Sequence, residues 1–418
     1  MIEVETHCGY EGKFSNQVAS NVEQVALSRL SPDQREWVKQ NCAALGVDLS
    51  FAGVRESERT KHVHRLHPYL GKFIPQLVDV FLEKYFKEGQ CILDPFAGSA
   101  TTLVEANTLK MNSIGVELSE FSYLIGKVKT TEYDLNLLEK EVKDILAKTS
   151  LFSRRIESNQ NSLVEDKAYL SDVTDYFKTW YSDRAIKEIY HYRSLIPEYN
   201  YQDVLKVILS RSARSARQIA HYDLARPLKP VKQKYWCIKH NRYCEPIGEA
   251  LKFITRYSFD TIDRIREFDK LRTNCEMTLL QSDSRKIRLP HDEINGIFTS
   301  PPYLGLIDYH DQHKYAYDLF DFKEFKDAEI GSTRNGKSNP NAKAEYQQSI
   351  EDVFKNVSPY LTDDAKIFIV VNDKRGIYPA IADECGFKTK RVFHRPVLFR
   401  TERDNFTFTE SIYHFEKN

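Results

Sequence analysis

Apolar residues recur along this 418-residue chain in two rhythms. From Pro75 to Phe86 (PQLVDVFLEKYF) they return at a spacing near 3.6 and predict a helix. Cys91-Ile92-Leu93 is a short apolar run of buried-strand type, followed by a loop and a second helical stretch over Thr101–Leu109. Ser113-Ile114-Gly115-Val116-Glu117 reads as another strand, and strand, helix and strand in succession predict a parallel sheet. Strand patterning returns at Met277–Leu280, Gly296–Thr299, Ile367–Val371, Lys388–Phe393 and Glu410–Phe415. Between the two sets, residues 136–275 are charged and mostly helical, with Pro227, Pro230 and Pro246 breaking the centre. The expected fold class is α/β: a mostly parallel, doubly wound sheet interrupted by a mainly helical insertion. Residues 16–60 read as polar and helical, with Ser31-Pro32-Asp33 as a helix start. Gly331–Lys343 (GSTRNGKSNPNAK) reads as a mobile loop.

Composition narrows the class. Hydrophobic residues are 41% and charged residues 29%, a globular profile. No apolar run approaches the roughly 20 residues of a membrane span. Lys+Arg and Asp+Glu are both 60, so a uniformly basic polycation is excluded and the location of charge becomes the question. The opening MIEVETHCGYEGKF has neither a basic n-region nor an apolar core, and the seven cysteines are scattered. Reduced thiols in a prokaryotic cytoplasm are expected.

Two short motifs carry chemistry. Asp94-Pro95-Phe96-Ala97-Gly98-Ser99-Ala100-Thr101-Thr102 sits where a strand hands over to a helix, the edge at which open α/β sheets bind ligands. Gly98 lets the backbone approach a ligand closely. Glu117, 19 positions later at the end of the next strand and followed by Leu118, is placed to bind ribose hydroxyls. Neither a three-glycine dinucleotide fingerprint nor a Gly-Lys-Ser/Thr phosphate cradle is present, so the ligand expected has a ribose and no pyrophosphate. The second motif is Thr299-Ser300-Pro301-Pro302-Tyr303, at the end of an apolar strand. Two prolines fix two φ angles and remove two donors, leaving a rigid turn rich in acceptors beside a flat ring. Such a turn suits an exocyclic amine on a planar base.

DPFAGSATT resembles motif I of the S-adenosylmethionine-dependent DNA amino-methyltransferases, with Ala100 in place of a second glycine, where its methyl could crowd the cofactor. Ser-Pro-Pro-Tyr resembles their catalytic tetrapeptide. A Rossmann-like methyltransferase sheet is implied. Ser300, Pro301, Pro302 and Tyr303 become catalytic candidates, with Asp94, Pro95, Phe96, Ala97, Gly98, Ser99, Glu117, Leu118 and Thr299 around the cofactor. Ser282-Asp283-Ser284 resembles motif III, which adds Asp283 and Ser284 to the cofactor candidates, although a helix cap or Asx-turn at Asp283 fits that triplet equally. Lys72 and Phe73 lie in a stretch resembling motif X, which also reads as a plain loop entering a helix with Phe73 in the core. Serine at the head of the tetrapeptide resembles the N4-cytosine enzymes, and adenine N6 stays open. No cysteine follows a proline, so a C5-type Pro-Cys nucleophile is missing.

Domain order follows by subtraction. Only 115 residues follow Tyr303, whereas Gly98 and Ser300 are 202 positions apart. The expected division is an N-terminal helical extension (1–60), a cofactor-binding half (61–135), a target-recognition insertion (136–275) and a catalytic half (276–418). That order resembles the α-type of the family. Residues 224–244 carry six cations and no acid, with aromatics interleaved. Lys229, Lys232, Lys234, Tyr235, Trp236, Lys239 and Arg242 are therefore DNA-binding candidates, together with Arg211, Arg214 and Arg217 along one helix face. A solvated face paired with acids is the bland alternative. Cys237-x2-His240-x3-Cys244 supplies three zinc-type ligands and no obvious fourth, and the chemistry requires no metal, so none is expected. Asp308, His310, Asp311 and His313 are read as polar residues beside the target base. The partner expected is double-stranded DNA, in a restriction-modification setting with a cognate endonuclease. Rivals are an RNA or protein amide methyltransferase and a non-enzymatic DNA binder on a dead scaffold.

Overall fold

The computed structural model describes residues 30–68, 73–158, 172–221, 223, 227–304, 309–325, 328–331, 341–397 and 408–418. Ser31 caps helix α1 (Pro32–Leu45) in a capping box: its hydroxyl accepts from the Gln34 N–H at 3.2 Å, and Gln34 Oε1 accepts from the Ser31 N–H at 2.9 Å. The helical run expected over 16–60 is shorter than that. It stops at Gly46, an Asx-turn at Asp48 follows, and only Glu56–Arg59 turns again. Residues 16–29 lie outside the described residues.

After α2 (Pro75–Tyr85) come β1 (Cys91–Asp94), α3 (Thr101–Thr108), β2 (Asn112–Glu117) and α4 (Glu120–Thr130). The insertion holds α5 (Leu135–Glu157), α6 (Asp183–Leu195), α7 (Gln202–Ala216), a hairpin of β3 (Tyr235–Cys237) and β4 (Arg242–Cys244), and α8 (Leu251–Asp269). The second half supplies β5 (Met277–Gln281), β6 (Ile294–Thr299), α9 (Lys314–Phe320), α10 (Ala342–Val357), β7 (Leu361–Val371), α11 (Tyr378–Glu384), β8 (Phe387–Val397) and β9 (Phe408–Lys417). The loop expected through Lys343 therefore ends at Asn341, and its 332–340 portion is outside the described residues.

Seven strands form one sheet in the order β5-β2-β1-β6-β7-β9-β8. All neighbours are parallel except β9, which runs antiparallel to β7 and β8. The mostly parallel α/β sheet expected from the sequence is the one observed. From β1 the chain winds outward through β2 and β5, then returns to β6 on the other side of β1. The β1–β6 junction is thus the topological switch point, where open sheets leave a crevice at their C-terminal edge. Leu93 pairs with Ile297 there, so the loops after β1 and β6 leave the sheet side by side.

Alternate residues of the central strands face opposite layers. Ile92, Phe298 and Phe368 pack with Leu77, Phe81 and Leu82 of α2. Leu93, Ile297 and Ile367 pack with Ile350 and Phe354 of α10 and Ile381 of α11. The insertion shares a core with the sheet half. Phe121, Ile125 and Val128 of α4 meet Val142, Ile189, Leu205, Ile208 and Ile262 from α5 to α8, and Tyr315 and Leu319 of α9 close the same cluster. Burying each such side chain is worth about 1.5–3 kcal/mol before entropic costs. No helix among the described residues is long and apolar enough to cross a membrane.

The arginine stripe is corrected by this packing. Helix α7 lies inside the helical layer, and Arg211 and Arg217 are only 7% and 4% exposed. Arg211 donates to Asp260 Oδ2 at 2.6 Å and lies 4.1 Å over the Tyr257 ring. Arg217 donates to the Arg214 carbonyl at 3.0 Å and stacks over Tyr315. Burial lowers Arg211 and Arg214 below the ordinary guanidinium range. Spacing of three residues marks a common face, and packing buries Arg211 and Arg217 on it while Arg214 stays half-buried. His313 and Tyr315, from the segment expected beside the base, likewise lie in this core.

Candidate active site

The loops after β1, β2, β5 and β6 surround one solvent-open cleft. Its walls include Asp94, Pro95, Phe96, Ala97, Gly98 and Ser99 from the first loop and Glu117 and Leu118 from the second. Asp283 and Ser284 from the third, Ser300 and Pro302 from the fourth, and Phe73 complete the part foreseen from sequence. Lys72 lies outside the described residues. Val116, Ser119, Phe325 and Glu329 also line the cleft and carried no motif of their own; Thr101 and Ser282 line it too, and lay within the motifs without being singled out as site residues.

The cofactor loop is built from the inside. Buried Asp94 accepts from Thr102 Oγ1 at 2.6 Å, from Thr299 Oγ1 at 2.6 Å and from the Phe96 N–H at 3.1 Å. One carboxylate thereby ties β1, α3 and β6 together. Burial raises it to about 6 although all three bonds pull the other way. Thr299 sits beneath the cleft rather than on its wall. Gly98 (φ +51) turns its N–H toward Glu117 Oε2 at 2.8 Å, and the Ser119 N–H donates to Glu117 Oε1 at 2.8 Å. Burial pushes Glu117 up to about 8. Lys129 of α4 holds the loop from behind, donating to the Ser99 carbonyl at 2.6 Å. Ala100 also has a positive φ, and its side chain packs with Ala97 and Leu103 against Leu279. Its methyl therefore enters the helix–sheet interface, not the cleft, which corrects the expected crowding.

Ser284 Oγ donates to the Pro95 carbonyl at 2.6 Å, joining two cleft loops. Asp283 lines the cleft while its carboxylate accepts from the Arg285 side chain at 2.6 Å and from the Arg285 N–H at 3.0 Å. That is an Asx-turn. Arg285, by hydrogen bonding and charge, offsets burial and holds Asp283 below the usual carboxylate range. Phe73 walls the cleft and packs edge-on to Phe298 at 5.3 Å.

The Ser-Pro-Pro-Tyr turn is clamped from outside. Tyr346 of α10 donates to the Pro302 carbonyl at 2.9 Å and pairs with the Tyr378 hydroxyl at 2.7 Å. The Tyr303 hydroxyl donates to Glu410 Oε1 at 3.0 Å. Pro301 is buried, and Tyr303 is half-buried beside the cleft rather than on its wall. Ser300 and Pro302 face the same space as Gly98 and Glu117.

The charged candidates divide by exposure. Lys229, Lys232, Lys234, Lys239 and Arg242 are exposed around the hairpin, where Trp236 and Tyr243 pack edge-on at 5.3 Å. Lys234 pairs with Glu245 at 3.1 Å. Tyr235 is half-buried, and its hydroxyl lies 2.9 Å from His221 Nδ1. The basic hairpin itself had no strand signal, because its strands are three residues long.

Whether these residues fit S-adenosylmethionine is testable on one atom: Thr101 Oγ1, on the cleft wall, is buried without a hydrogen-bond partner among the described residues. Beside it the Glu117 carboxylate, braced by the Gly98 and Ser119 N–H groups, presents an acceptor to a polar ligand such as a ribose.

A family profile described as DNA methylase matches residues 15–127. Type II methyltransferase M.MjaII of Methanocaldococcus jannaschii is 38% identical over 96% of this chain and 89% of its own length. M.MvaI of Kocuria varians is 24% identical over 61% of this chain and 55% of its own, and M.BsoBI of Geobacillus stearothermophilus is 25% identical over 71% and 61%. Among solved structures, a methyltransferase from Pyrococcus furiosus aligns with 93% of this chain and all of its own at 10% identity and TM-score 0.30.

Proposed function

The chain belongs to the type II DNA amino-methyltransferases, and from that premise we propose that it methylates the exocyclic N4 amine of a cytosine flipped out of duplex DNA. S-adenosylmethionine, when bound, supplies an electrophilic methyl group on a sulfonium. The observation carrying the proposal is that Ser300 and Pro302 share one cleft with Gly98, Thr101 and Glu117. Glu117 accepts from ribose hydroxyls, and Thr101 takes the polar contact its hydroxyl otherwise lacks.

The amine lone pair of cytosine is delocalised into the ring, so the amine is a poor nucleophile. Ser300 Oγ and the carbonyl of Ser300 or Pro301 accept from its two N–H groups and favour a pyramidal nitrogen. The Pro302 carbonyl is already occupied by Tyr346, which holds the turn still. Tyr303, fixed through Glu410, offers a face to the base. Flipping costs a few kcal/mol, offset by stacking and edge hydrogen bonds. The exposed cations around Trp236 and Tyr243 supply phosphate contacts, and a cognate endonuclease acting on the same site is the expected companion, as in restriction-modification pairs.

Hydrolysing methylated duplex to nucleosides tests the assignment. N4-methylcytosine is expected; N6-methyladenine would move the substrate to adenine, and methylation of tRNA or peptide without DNA would overturn the DNA reading. Ser300→Ala and Tyr303→Ala should each spare cofactor binding in calorimetry and cut turnover at least tenfold, about 1.4 kcal/mol. Unimpaired turnover in both variants would remove the tetrapeptide from the mechanism.

A further inference from the structure

The fourth ligand that the linear motif lacked is supplied by the fold. His221, just beyond α7, comes to the β3–β4 hairpin, so that one ligand atom each of His221, Cys237, His240 and Cys244 lies within 4.8 Å of the other three. His221 Nδ1 is 3.7 Å from Cys237 Sγ, and His240 Nδ1 is 3.5 Å from Cys244 Sγ. A tetrahedral zinc with bonds of about 2.3 Å to sulfur and about 2.05 Å to nitrogen sets sulfur–nitrogen edges of about 3.6 Å. The two observed separations bracket that edge. We propose that these four side chains form a structural Cys2His2 zinc site that pins the basic hairpin to the end of α7.

The packing of the hairpin calls for such a cross-link. Cys237 is fully buried and Cys244 is 7% exposed, while the large side chains beside them point outward: Trp236 is 49%, Ile238 74% and Tyr243 63% exposed. The hairpin has thiols inside and apolar groups outside, the reverse of a hydrophobic core. None of its residues belongs to the buried apolar clusters among the described residues. Two three-residue strands forming a sheet of their own are marginal in water. Asn241, in the left-handed region at φ +48, closes the turn that returns His240 toward Cys244. The Tyr235 hydroxyl lies 2.9 Å from His221 Nδ1 and also accepts from the His221 main-chain N–H at 3.1 Å. It keeps a partner when that ring nitrogen turns to a metal. A Cys237–Cys244 disulfide accounts less well for the cluster: the cysteines are not cross-strand partners, since Cys237 faces Arg242 and Cys244 faces Tyr235, and it gives no reason for two imidazoles to converge on the thiols. A closed set with no open position assigns the metal to architecture rather than to methyl transfer.

The full-length protein, purified without chelator, is expected to hold one zinc per chain by elemental analysis. Replacement by Co2+ should give the intense d–d and thiolate charge-transfer absorption of a tetrahedral site. His221→Ala, and separately Cys237→Ser with Cys244→Ser, should lose stoichiometric metal, whereas His291→Ala, in an exposed loop elsewhere, should retain it. Substoichiometric zinc after reconstitution with excess Zn2+, a weak octahedral cobalt spectrum, or an oxidised Cys237–Cys244 pair on thiol titration would overturn the proposal. The wild-type cobalt spectrum decides even where a variant fails to fold. None of these readouts depends on DNA or methyl transfer, so the site stands or falls apart from the proposed activity.

Discussion

Replacing Asp94 by asparagine isolates one buried charge beneath the cofactor loop. The carboxyl is fully buried and raised to about 6 from its ordinary 3.8. The fold therefore prefers the neutral acid. Stability attributable to this group is fullest below the unfolded value near 3.8 and declines as pH rises through the interval up to 6. Above 6 the loss levels off at about 3 kcal/mol, from about 1.36 kcal/mol per unit. Linkage over these two values gives a loss on the order of 1 kcal/mol between pH 5 and pH 7.5. Asparagine is neutral throughout. It also forces one of the two threonine hydroxyls to accept instead of donate, a pH-independent offset of about 1–3 kcal/mol. Thr102 can redirect its proton to the Phe298 carbonyl, 3.2 Å away. Urea midpoints followed by tryptophan fluorescence in both proteins at both pH values cancel the titration of shared groups that do not feel Asp94; Glu117, raised mainly by burial and further by the Asp94 charge, is the exception. Asp94→Asn should gain on the order of 1 kcal/mol on wild type between pH 5 and 7.5. A difference that stays constant, or moves in favour of wild type, would refute the claim that burial outweighs the three hydrogen bonds.

Three other perturbations follow from the same geometry. Tyr346→Phe removes the donor to the Pro302 carbonyl, so steady-state kinetics should show turnover reduced several-fold with cofactor affinity unchanged; unaltered turnover would mean that the prolines alone hold the turn. A Cβ at Gly296 would overlap the Phe86 ring and lie 2.5 Å from the Lys366 carbonyl, so Gly296→Ala should cost about 1–3 kcal/mol in denaturant unfolding, and a neutral result would show that β6 can shift. Lys232→Ala with Lys234→Ala should weaken DNA binding and reduce its log–log salt slope by about 2, while an unchanged slope would place the phosphate contacts elsewhere.

Local pattern carried much of this protein. The alternation that sends Ile297 to one layer and Phe298 to the other, the 3.6 spacing of α2 and the Ser31 cap are written over a few consecutive residues, and they survived folding intact. The strand-to-helix loop after β1 and the double-proline turn after β6 are likewise short-range geometry. Those short segments also implied a parallel sheet, and hence a crevice at its C-terminal edge. What the linear pattern left open depends on partners far away along the chain. The spacing of Arg211, Arg214 and Arg217 defines a face but cannot say whether Asp260 and Tyr315 or water will meet it. Tyr346 and Glu410 carry no motif, yet they secure the Ser-Pro-Pro-Tyr turn from helices and strands 44 and 107 positions away. His221 stands 16 positions before Cys237, and only the turn of the chain after α7 delivers it to the two thiols. Periodicity is set by each residue's immediate neighbours, whereas burial, charge pairing and ligand geometry arise when separate elements pack, and that packing is where the tertiary structure made its own decisions.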